Sequence, residues 1–584
     1  MRGARFKPLC LALVLALVAG AARAAIKVDI TGVEGELRAN VITFLSVERN
    51  RDRADIDQEM MIGLFNRIDR EVRGALRPFG YYEPVVKSDF TGDEHEWRVT
   101  VDVQPGEPVI VSSVTVGVEG PGADDPVFYA SKHQGSLREG MRLNHGTYEE
   151  VKGNLIRTAA SNGYLRARMV HSQMEVDTGK HTARIDLLLD TGPRYKFGAV
   201  NIDQSVIRDD LVKRFLRFHE GDPYSATQLL RTQFALDDSL YFSSVEVAPG
   251  DPDPETLTVP VNITATKSTR RFTIGAGYGT DTSVRGTLGW TDTRVNDRGH
   301  RLRMELRVSA VTQKFDARYD IPMGDPALEK FSIRGLIDDE KLSDLDTREY
   351  SVAPSITRVH DRWQYVYSVA ATRTFTTKGA DTSVSNLLVP GIALASVPEG
   401  FLGESLFSRA FYIELIGSHS ALGSDSDFLR LHVQAERVFD LGTRWHLLTR
   451  AELGASMVRN FDDLPGIYRF FAGGDRSVRG FAYNSLSPEE PVLQNDGTTK
   501  LQKTGGRYLF SGSVEMARDL PRNLAGAVFF DIGNAFNKFG DPMEYSVGVG
   551  VRYRLPVVSM GLDIAKPLSD NSGPRLHLNI SPKL

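Results

Sequence analysis

The sequence contains a single cysteine, Cys10, among its 584 residues. It lies in an apolar stretch, Leu9 to Val18, which follows basic residues and precedes the small-residue pattern Ala22-Arg23-Ala24. This arrangement is typical of a secretory signal peptide, so residues 1–24 are predicted to be removed. The rest of the chain would then have no thiol, which suits the oxidising periplasm. A chance lack of cysteine is the plainer alternative.

Long hydrophobic runs and an excess of one charge are also absent. After residue 24 no stretch approaches the roughly 18 consecutive apolar residues that a membrane-spanning helix requires. A chain of this kind crosses a membrane only with strands, because only helices and closed barrels satisfy every backbone group in lipid. The 70 basic and 75 acidic residues nearly cancel. Nucleic acid is therefore not expected as a partner.

Sequence motifs of catalysis are missing. Neither His-Glu-x-x-His nor Gly-x-Ser-x-Gly occurs, and the 12 histidines lack the spacing of metal ligands. Asp425 and Asp427 are closely spaced acidic residues, but a calcium site needs six or more oxygens, so a solvated loop is the simpler interpretation. The sequence thus predicts a protein that is not an enzyme and has neither a cofactor nor a metal.

The N-terminal half repeats itself. Residues 106–116 superpose without a gap on 192–202, and residues 139–144 match 220–225. Repetition at this scale indicates an array of small domains. Three units are predicted, with the boundaries 25–105, 106–192 and 193–268.

Each unit combines helices with strands, and in the first the apolar residues recur at helical spacing. These residues are Met61, Leu64, Phe65, Ile68, Val72 and Leu76. Alternating strands at Trp97–Val103, Arg184–Leu188 and Leu257–Ile263 offer a surface for such helices. Turns rich in Gly and Tyr, near Gly80 and Gly163, are read as structural. Exposed sheet edges are the better candidates for binding a partner strand.

The C-terminal part, residues 269–584, alternates polar and apolar residues in segments separated by turns. This pattern is typical of a transmembrane barrel, and a strand with its share of turns takes roughly twenty residues. The predicted fold is therefore an α+β array followed by an all-β barrel of about sixteen antiparallel strands. A soluble sandwich also alternates, but its charged face would meet bulk solvent.

A loop of about residues 462–503 is the candidate to fill the barrel lumen. It contains the motif Val478, Arg479, Gly480 and Phe481. Arginine beside glycine suits a loop that reaches inward, because its planar fork binds carboxylates bidentately. The predicted partners are Asp531, within the strand motif Phe529 to Gly533, and Glu515. The alternative is an exposed Arg479 and an ordinary lumen carboxylate.

The loop motif and the strand motif together resemble those of the BamA/TamA superfamily of outer-membrane assembly factors, and the three units resemble its POTRA domains. Three POTRA-like units are most similar to the TamA branch. The resemblance implies a non-enzymatic factor in the outer membrane of a Gram-negative bacterium, with its POTRA domains in the periplasm. Its partners would be the lipid bilayer, unfolded client proteins such as autotransporters, and a TamB-like protein anchored in the inner membrane. Phospholipid transport is implied as well.

Weak closure is predicted where the first and last barrel strands meet. The first strand, residues 272–279, has three glycines and the last, residues 575–580, is short. The residues of this predicted seam are Gly275, Gly277, Gly279, Leu576, Leu578 and Ile580. Glycine weakens a strand by its backbone entropy, although glycines that merely bend the wall are the alternative. The resemblance implies a seam that opens sideways to client strands.

Two rival functions differ in class. An exporter of the two-partner-secretion type would conduct one dedicated substrate through the barrel, and large steady conductance would favour it. An outer-membrane hydrolase would need a nucleophile and a base in the barrel, for which the sequence offers no motif.

Overall fold

A computed structural model of the protein describes residues 26–53, 55–93, 96–130, 137–397, 411–554 and 558–582. The predicted signal peptide, residues 1–24, lies outside this described part. The chain divides into two compact units. One holds the residues up to 199 together with 220–227 and 250–260, and the other holds 200–219, 228–249 and the residues from 261 onward.

The first small domain is a three-stranded sheet with helices. Its elements are β1 Ile26–Thr31, α1 Gly35–Phe44, α2 Ser46–Arg49, α3 Gln58–Phe65, α4 Ile68–Leu76, β2 Val85–Asp93 and β3 Glu96–Gln104. The strand order is β1-β3-β2, with β1 parallel to β3. Trp97 and Val103, at the ends of the predicted alternation, are buried in the core. The predicted apolar stripe continues across α3 and α4, and only Phe65 of its residues is partly buried.

The next two sheets repeat this order, with the last strand of each in the centre. The second has β4 Ile110–Glu119, α5 His145–Ser161, β5 Arg168–Asp177 and β6 Thr182–Asp190; the third has β7 Lys196–Asp203, α6 Asp209–Lys213, α7 Ala226–Asp237, β8 Phe242–Pro249 and β9 Thr258–Lys267. The orders are β4-β6-β5 and β7-β9-β8. The three strands predicted from alternation are therefore the three central strands.

The matched repeat positions Val109 and Tyr195 make the same backbone contact, and both contacts lie in the first compact unit. The amide of Val109 donates to the carbonyl of Gly80 at 2.8 Å, and the amide of Tyr195 donates to the carbonyl of Gly163 at 2.8 Å. Both glycines have positive φ, 84° and 90°. A Cβ on Gly163 would lie 2.9 Å from the Tyr195 carbonyl oxygen, so glycine is required there for close approach as well as for its backbone angle.

The C-terminal strands close into a barrel. They are β10 Arg271–Gly279, β11 Ser283–Asp292, β12 Arg301–Val308, β13 Thr312–Pro322, β14 Glu329–Leu342, β15 Leu345–His360, β16 Trp363–Lys378, β17 Asp381–Ser396, β18 Phe411–Ser418, β19 Phe428–Asp440, β20 Trp445–Val458, β21 Glu489–Leu493, β22 Thr499–Lys503, β23 Tyr508–Leu520, β24 Leu524–Phe536, β25 Glu544–Arg554, β26 Val558–Pro567 and β27 Arg575–Pro582. Within the described residues sixteen of these strands form the wall, whereas β21 and β22 form a separate hairpin. The predicted fold class is confirmed. No helix in the described part of the chain is long and apolar enough to cross a membrane.

The two faces of the wall differ in polarity as the alternation predicts. Leu429 and Leu431 of β19 are exposed on the outer face. Arg430, between these two leucines, and His432, after the second, point into the lumen. The His432 Nε2 atom lies 2.7 Å from the Glu452 Oε1 atom. Outward residues are therefore apolar, while inward charges pair with one another.

Within the second compact unit, residues of the third small domain contact turns at one end of the barrel. The hydroxyl of Tyr241 donates to the carbonyl of Gly299 at 2.6 Å, and Arg217 forms an ion pair with Asp325. Gly299 and Asp325 lie in the turns that follow β11 and β13. These turns are at the end of the barrel where β10 begins, which fixes the direction of every later strand.

Candidate functional site: the lumen loop and the barrel seam

The segment between β20 and β23 folds into the lumen. Its apolar residues form a buried cluster with the wall, made of Phe470, Ala472, Val478, Phe481, Leu486, Leu509 and Ala535. The amide of Gly466 donates to the Thr376 Oγ1 atom at 3.1 Å on β16. The loop is therefore attached to two parts of the wall, one beside it and one on β16.

Arg479 of the loop lies between carboxylates of the wall. Its Nε and Nη2 atoms donate to the two oxygens of Asp531 at 2.8 and 2.9 Å, and its Nη1 atom donates to Glu515 at 2.6 Å. The backbone amide of Arg479 also donates to Asp531, at 3.0 Å. The structure thus brings together the three charged residues that the sequence motifs single out. The contact is bidentate, which favours one orientation of the loop.

The pair is dry. The side chain of Arg479 is 3% exposed and that of Asp531 is 0% exposed. The loop itself excludes water from this pair, although the lumen of a sixteen-stranded barrel is wide. Breaking such a pair by removing one partner typically costs about 3–5 kcal/mol.

Two further charges complete the cluster, and sequence reasoning missed both. Asp563 of β26 lies 3.6 Å from the Arg479 Nη1 atom, and Arg552 of β25 donates to Asp563 at 2.9 Å and to Glu515 at 3.4 Å. The alternation of polar and apolar residues puts Arg552 and Asp563 on the inner face, and this is the sequence signal that could have found them. It could not select them, because many inward residues of this barrel are charged.

The other motif residues make this close packing possible. Gly480 has a φ of 110°, and a Cβ there would lie 3.0 Å from Ser546. A Cβ on Gly533 would lie 2.6 Å from the Phe510 carbonyl oxygen and 3.0 Å from Val478. The ring of Phe529 lies under the Arg479 guanidinium, with 3.4 Å between the guanidinium carbon and the ring centroid. This geometry adds a cation–π contact to the ion pairs.

The seam is joined by a very short ladder. In the described residues β10 and β27 pair only at Tyr278 with Ile580 and at Gly279 with Asn579. The Thr280 amide donates to the Leu578 carbonyl at 3.2 Å just beyond these pairs. By contrast, β23 and β24 pair along their full length.

The glycines of the first strand contribute unequally to this seam. A Cβ on Gly277 would lie 2.7 Å from the Ile580 carbonyl oxygen, so glycine lets the two strands approach. Gly275 pairs with Thr287 of β11 and has no partner on β27 among the described residues. Of the predicted seam residues, Leu576 is exposed on the outer face. The contacts are thus concentrated at one end of the predicted seam.

A second polar cluster connects the lumen loop to both sides of the seam. The imidazole Nδ1 atom of His577 on β27 is hydrogen-bonded to the Asp475 carboxylate of the loop, and the Asp475 amide donates to the Asp281 carboxylate at 2.8 Å. Asp281 lies in the turn after β10, while the Gly480 amide donates to the His577 Nε2 atom at 3.3 Å. We define these three residues, Asp281, Asp475 and His577, as the latch.

The latch is another feature that the sequence did not reveal. Its three ligand atoms lie within 4.8 Å of one another, a spacing that metal sites also have. The hydrogen bond from Gly480 occupies the His577 Nε2 lone pair, which places the ring proton on Nδ1, facing Asp475. Burial and then the neighbouring Asp475 carboxylate raise the pKa of Asp281. Hydrogen bonding among the three residues therefore accounts for the cluster, and the absence of a metal stays a prediction.

The barrel, the small sheet domains and the inward loop define a class of protein, an outer-membrane barrel preceded by POTRA-type domains. Three family models match this chain. The Omp85 superfamily domain matches residues 405–581, the model of POTRA domain 1 of TamA matches residues 27–105, and a POTRA model described as a surface antigen variable number repeat matches residues 195–267.

Individual relatives agree with this class. The chain is 23% identical over 448 residues to the outer membrane protein assembly factor BamA of Nitratidesulfovibrio vulgaris, covering 72% of this chain and 54% of that one. It therefore spans about half the length of that curated relative. The crystal structure of Haemophilus ducreyi BamA lacking POTRA domains 1–3 superposes with a TM-score of 0.66 at 16% identity, covering 81% of this chain and 99% of that one.

These matches show an Omp85 superfamily domain in the C-terminal part of the chain and POTRA domains ahead of it. The barrel accordingly lies in the outer membrane of a Gram-negative bacterium, and the POTRA domains lie in the periplasm. The end of the barrel that carries Gly299 and Asp325 is therefore the periplasmic end.

Proposed function

We propose that the chain is a non-enzymatic outer-membrane assembly factor of the TamA type, which inserts or secretes client proteins such as autotransporters. The observation that carries this proposal is the seam, where in the described residues two residue pairs join β10 and β27, whereas the next shortest ladder of the wall, between β17 and β18, has five. The shortest ladder in the described part of the wall is the place where the barrel opens at the smallest cost. Its function then follows from binding and strand exchange rather than from bond chemistry.

The first strand supplies the surface for a client. Residues of β10 from Arg271 to Gly277 pair with β11, but in the described part of the chain they have no partner on β27. The N–H and C=O groups that they present on the side of β27 suit the addition of a strand. Phe272 and Ile274 are among the most exposed apolar side chains of the wall, and they would contact an incoming strand and lipid.

The lumen loop would hold the rest of the barrel in place while the seam opens. The ion pairs of Arg479 attach the loop to β23, β24 and β26, whereas the latch attaches it to β27 and to the turn after β10. Releasing the latch alone would free the seam without moving the loop from its buried carboxylates. The loop thus has separate attachments for stability and for opening.

The periplasmic partner is proposed to be a TamB-like protein anchored in the inner membrane, with phospholipid transport between the membranes as a shared task. We retain 25–105, 106–192, 193–268 and 269–584 as the proposed domains. The TamA-type match at residues 27–105 supports the first domain as the docking site, and β1 and β2 are the edges of its sheet. Strand addition to one of these edges is the proposed mode.

Purification from the native membrane tests the partner. Recovery of a large inner-membrane-anchored protein, lost when residues 26–105 are deleted, is the expected result. Recovery of several outer-membrane lipoproteins would favour a BamA-like factor instead, and recovery of one secreted substrate would favour an exporter.

Locking the seam tests the central proposal. Tyr278→Cys with Ile580→Cys places two thiols on directly paired residues, in a chain whose only cysteine lies in the predicted signal peptide. Oxidation is expected to stop client delivery, and reduction should restore it. A matched pair, Val514→Cys with Phe530→Cys, joins β23 to β24, where no opening is proposed. Delivery that continues through an oxidised 278–580 bond would refute the role of the seam.

A further inference from the structure

The contact between the first two small domains depends on two adjacent tyrosines. Both domains belong to the first compact unit. Tyr81 packs against the core of the first domain, whereas Tyr82 packs against the core of the second. The Tyr82 hydroxyl lies 2.8 Å from the Nε2 atom of His145, at the start of α5 in the second domain. We define the contact of Tyr82 with His145 as the first joint.

The surroundings of His145 favour an uncharged ring. His145 is half-buried at the first position of α5, where Asn144 caps the helix, and the helix dipole disfavours a cation there. The charged side chains that act on it are Arg77, after α4, and Glu149, one turn along α5. Burial and then the Arg77 guanidinium hold the pKa of His145 below its ordinary value, although Glu149 opposes them.

Acid therefore weakens the first joint. A neutral imidazole can accept the proton of the Tyr82 hydroxyl or donate to its oxygen, whereas a protonated ring can only donate. With the joint open, His145 would be exposed and would titrate near its ordinary pKa of about 6.5. With the joint closed its pKa is lower, so the open joint binds the proton more readily. The free energy that closes the joint is fully present above about pH 6.5 and decreases as the pH falls below that value.

The repeat in the sequence offers an internal comparison. The match of residues 139–144 with 220–225 places Ala226 at the position of His145. The match of the glycine turns at Gly80 and Gly163 places Leu165 at the position of Tyr82. The contact between the second and third domains therefore has neither member of the pair.

That second contact is made by an ion pair instead. Arg194, ahead of β7, lies 2.9 Å from the Asp125 carboxylate of the second domain, and the Tyr164 hydroxyl donates to the same carboxylate at 2.7 Å. Arginine stays charged at any ordinary pH, and an aspartate titrates near pH 4. Mild acid should therefore leave this contact in place while it weakens the first joint.

We propose that the first joint is a pH-sensitive hinge, which holds the first domain in one orientation on the second at neutral pH and loosens in acid. Two other contacts keep the domains connected. The Val109 amide donates to the Gly80 carbonyl, and Arg142 donates to the Tyr81 hydroxyl at 3.3 Å. Acid thus frees the orientation of the first domain without detaching it. The proposal depends only on this contact and is independent of the proposed partner and of the seam.

Spin labels on the full-length protein test this proposal. Lys87→Cys on β2 and Glu175→Cys on β5 place one label on an exposed residue of each domain, in a chain whose only cysteine lies in the predicted signal peptide. The distance distribution should be narrow at about pH 7.5 and broad at about pH 5, on either side of the ordinary histidine pKa. The open population can grow up to about tenfold for each unit by which the pKa of the closed joint lies below that of the open one.

His145→Gln separates titration from contact. Glutamine can still donate to the Tyr82 hydroxyl or accept from it, but it does not titrate, so its distribution should stay narrow at both pH values. His171→Gln changes an exposed histidine of the second domain and is the matched control, which should broaden in acid as the wild type does. A wild-type distribution that stays narrow in acid, or equal broadening in wild type and His145→Gln, would overturn the proposal.

A second variant covers the case in which glutamine fits poorly. Tyr82→Leu with His145→Ala copies the residues found at the matched positions of the next contact, Leu165 and Ala226. Its distance distribution should not change between the two pH values. A change as large as that of the wild type would overturn the proposal as well.

Discussion

The wall at β23 and β24 and the seam at β10 and β27 are joined by different means. The first pair uses all thirteen residues of each strand, and the Arg479 cluster adds buried charge pairs to it. In the part of the chain that the structure describes, the second pair uses two residue pairs and the latch. Backbone hydrogen bonds between strands therefore hold together most of the barrel wall. At the seam, the barrel is closed largely by side chains of one loop.

The largest effect is expected from Arg479→Ala. It leaves Asp531 and Glu515 buried without their shared cation, which should lower the free energy of unfolding by about 3–5 kcal/mol. The measurement is the thermal unfolding of the purified barrel, followed by its electrophoretic mobility with and without heating. Arg479→Lys keeps the charge but loses the fork, so an intermediate loss is expected.

The matched control for this prediction is Arg476→Ala, because Arg476 lies in the same loop and is exposed. It should leave the unfolding transition in place. If the Arg479→Ala and Arg476→Ala variants unfold at the same temperature, the Arg479 cluster does not make the β23–β24 wall more stable than the seam.

A smaller effect that is confined to the seam is expected from His577→Ala. This change removes the hydrogen bond to Asp475 and the acceptor for the Gly480 amide, at a cost of about 1–3 kcal/mol for groups left without a partner. Spin labels at positions 274 and 576, both outward, should report a broader distance distribution while the Arg479 cluster stays intact.

Asp281→Asn is the control for the latch. It keeps an oxygen to accept the Asp475 amide and removes a charge whose burial is unfavourable, as the raised pKa of Asp281 indicates. The distance distribution should therefore stay narrow. A broad distribution in Asp281→Asn and a narrow one in His577→Ala would contradict the proposed role of the latch.

The fold could be predicted largely from the sequence, because it depends on patterns that are local. Alternation identified the central strands of all three small sheets, and alternation together with chain length predicted the approximate number of barrel strands. The motif also brought Arg479, Asp531 and Glu515 together. Arg552, Asp563 and the latch were missed, because their contacts depend on which distant strands and turns face the loop. Glycines indicated a weak seam, but the number of its ladder pairs depends on the register of two strands almost 300 residues apart.

The smallest effect, and the most direct test of the seam ladder, is expected from Gly277→Ala. The added Cβ would lie 2.7 Å from the Ile580 carbonyl oxygen, so β27 must shift away and weaken the adjacent pairs. A loss of about 1 kcal/mol is expected, the worth of a typical hydrogen bond. Amide exchange at Tyr278 and Gly279 should accelerate. Gly286→Ala on β11 is the matched control, because nothing lies within 4 Å of a Cβ there. Equal exchange in the two variants would mean that close approach at Gly277 does not limit the seam, and that the latch alone closes it.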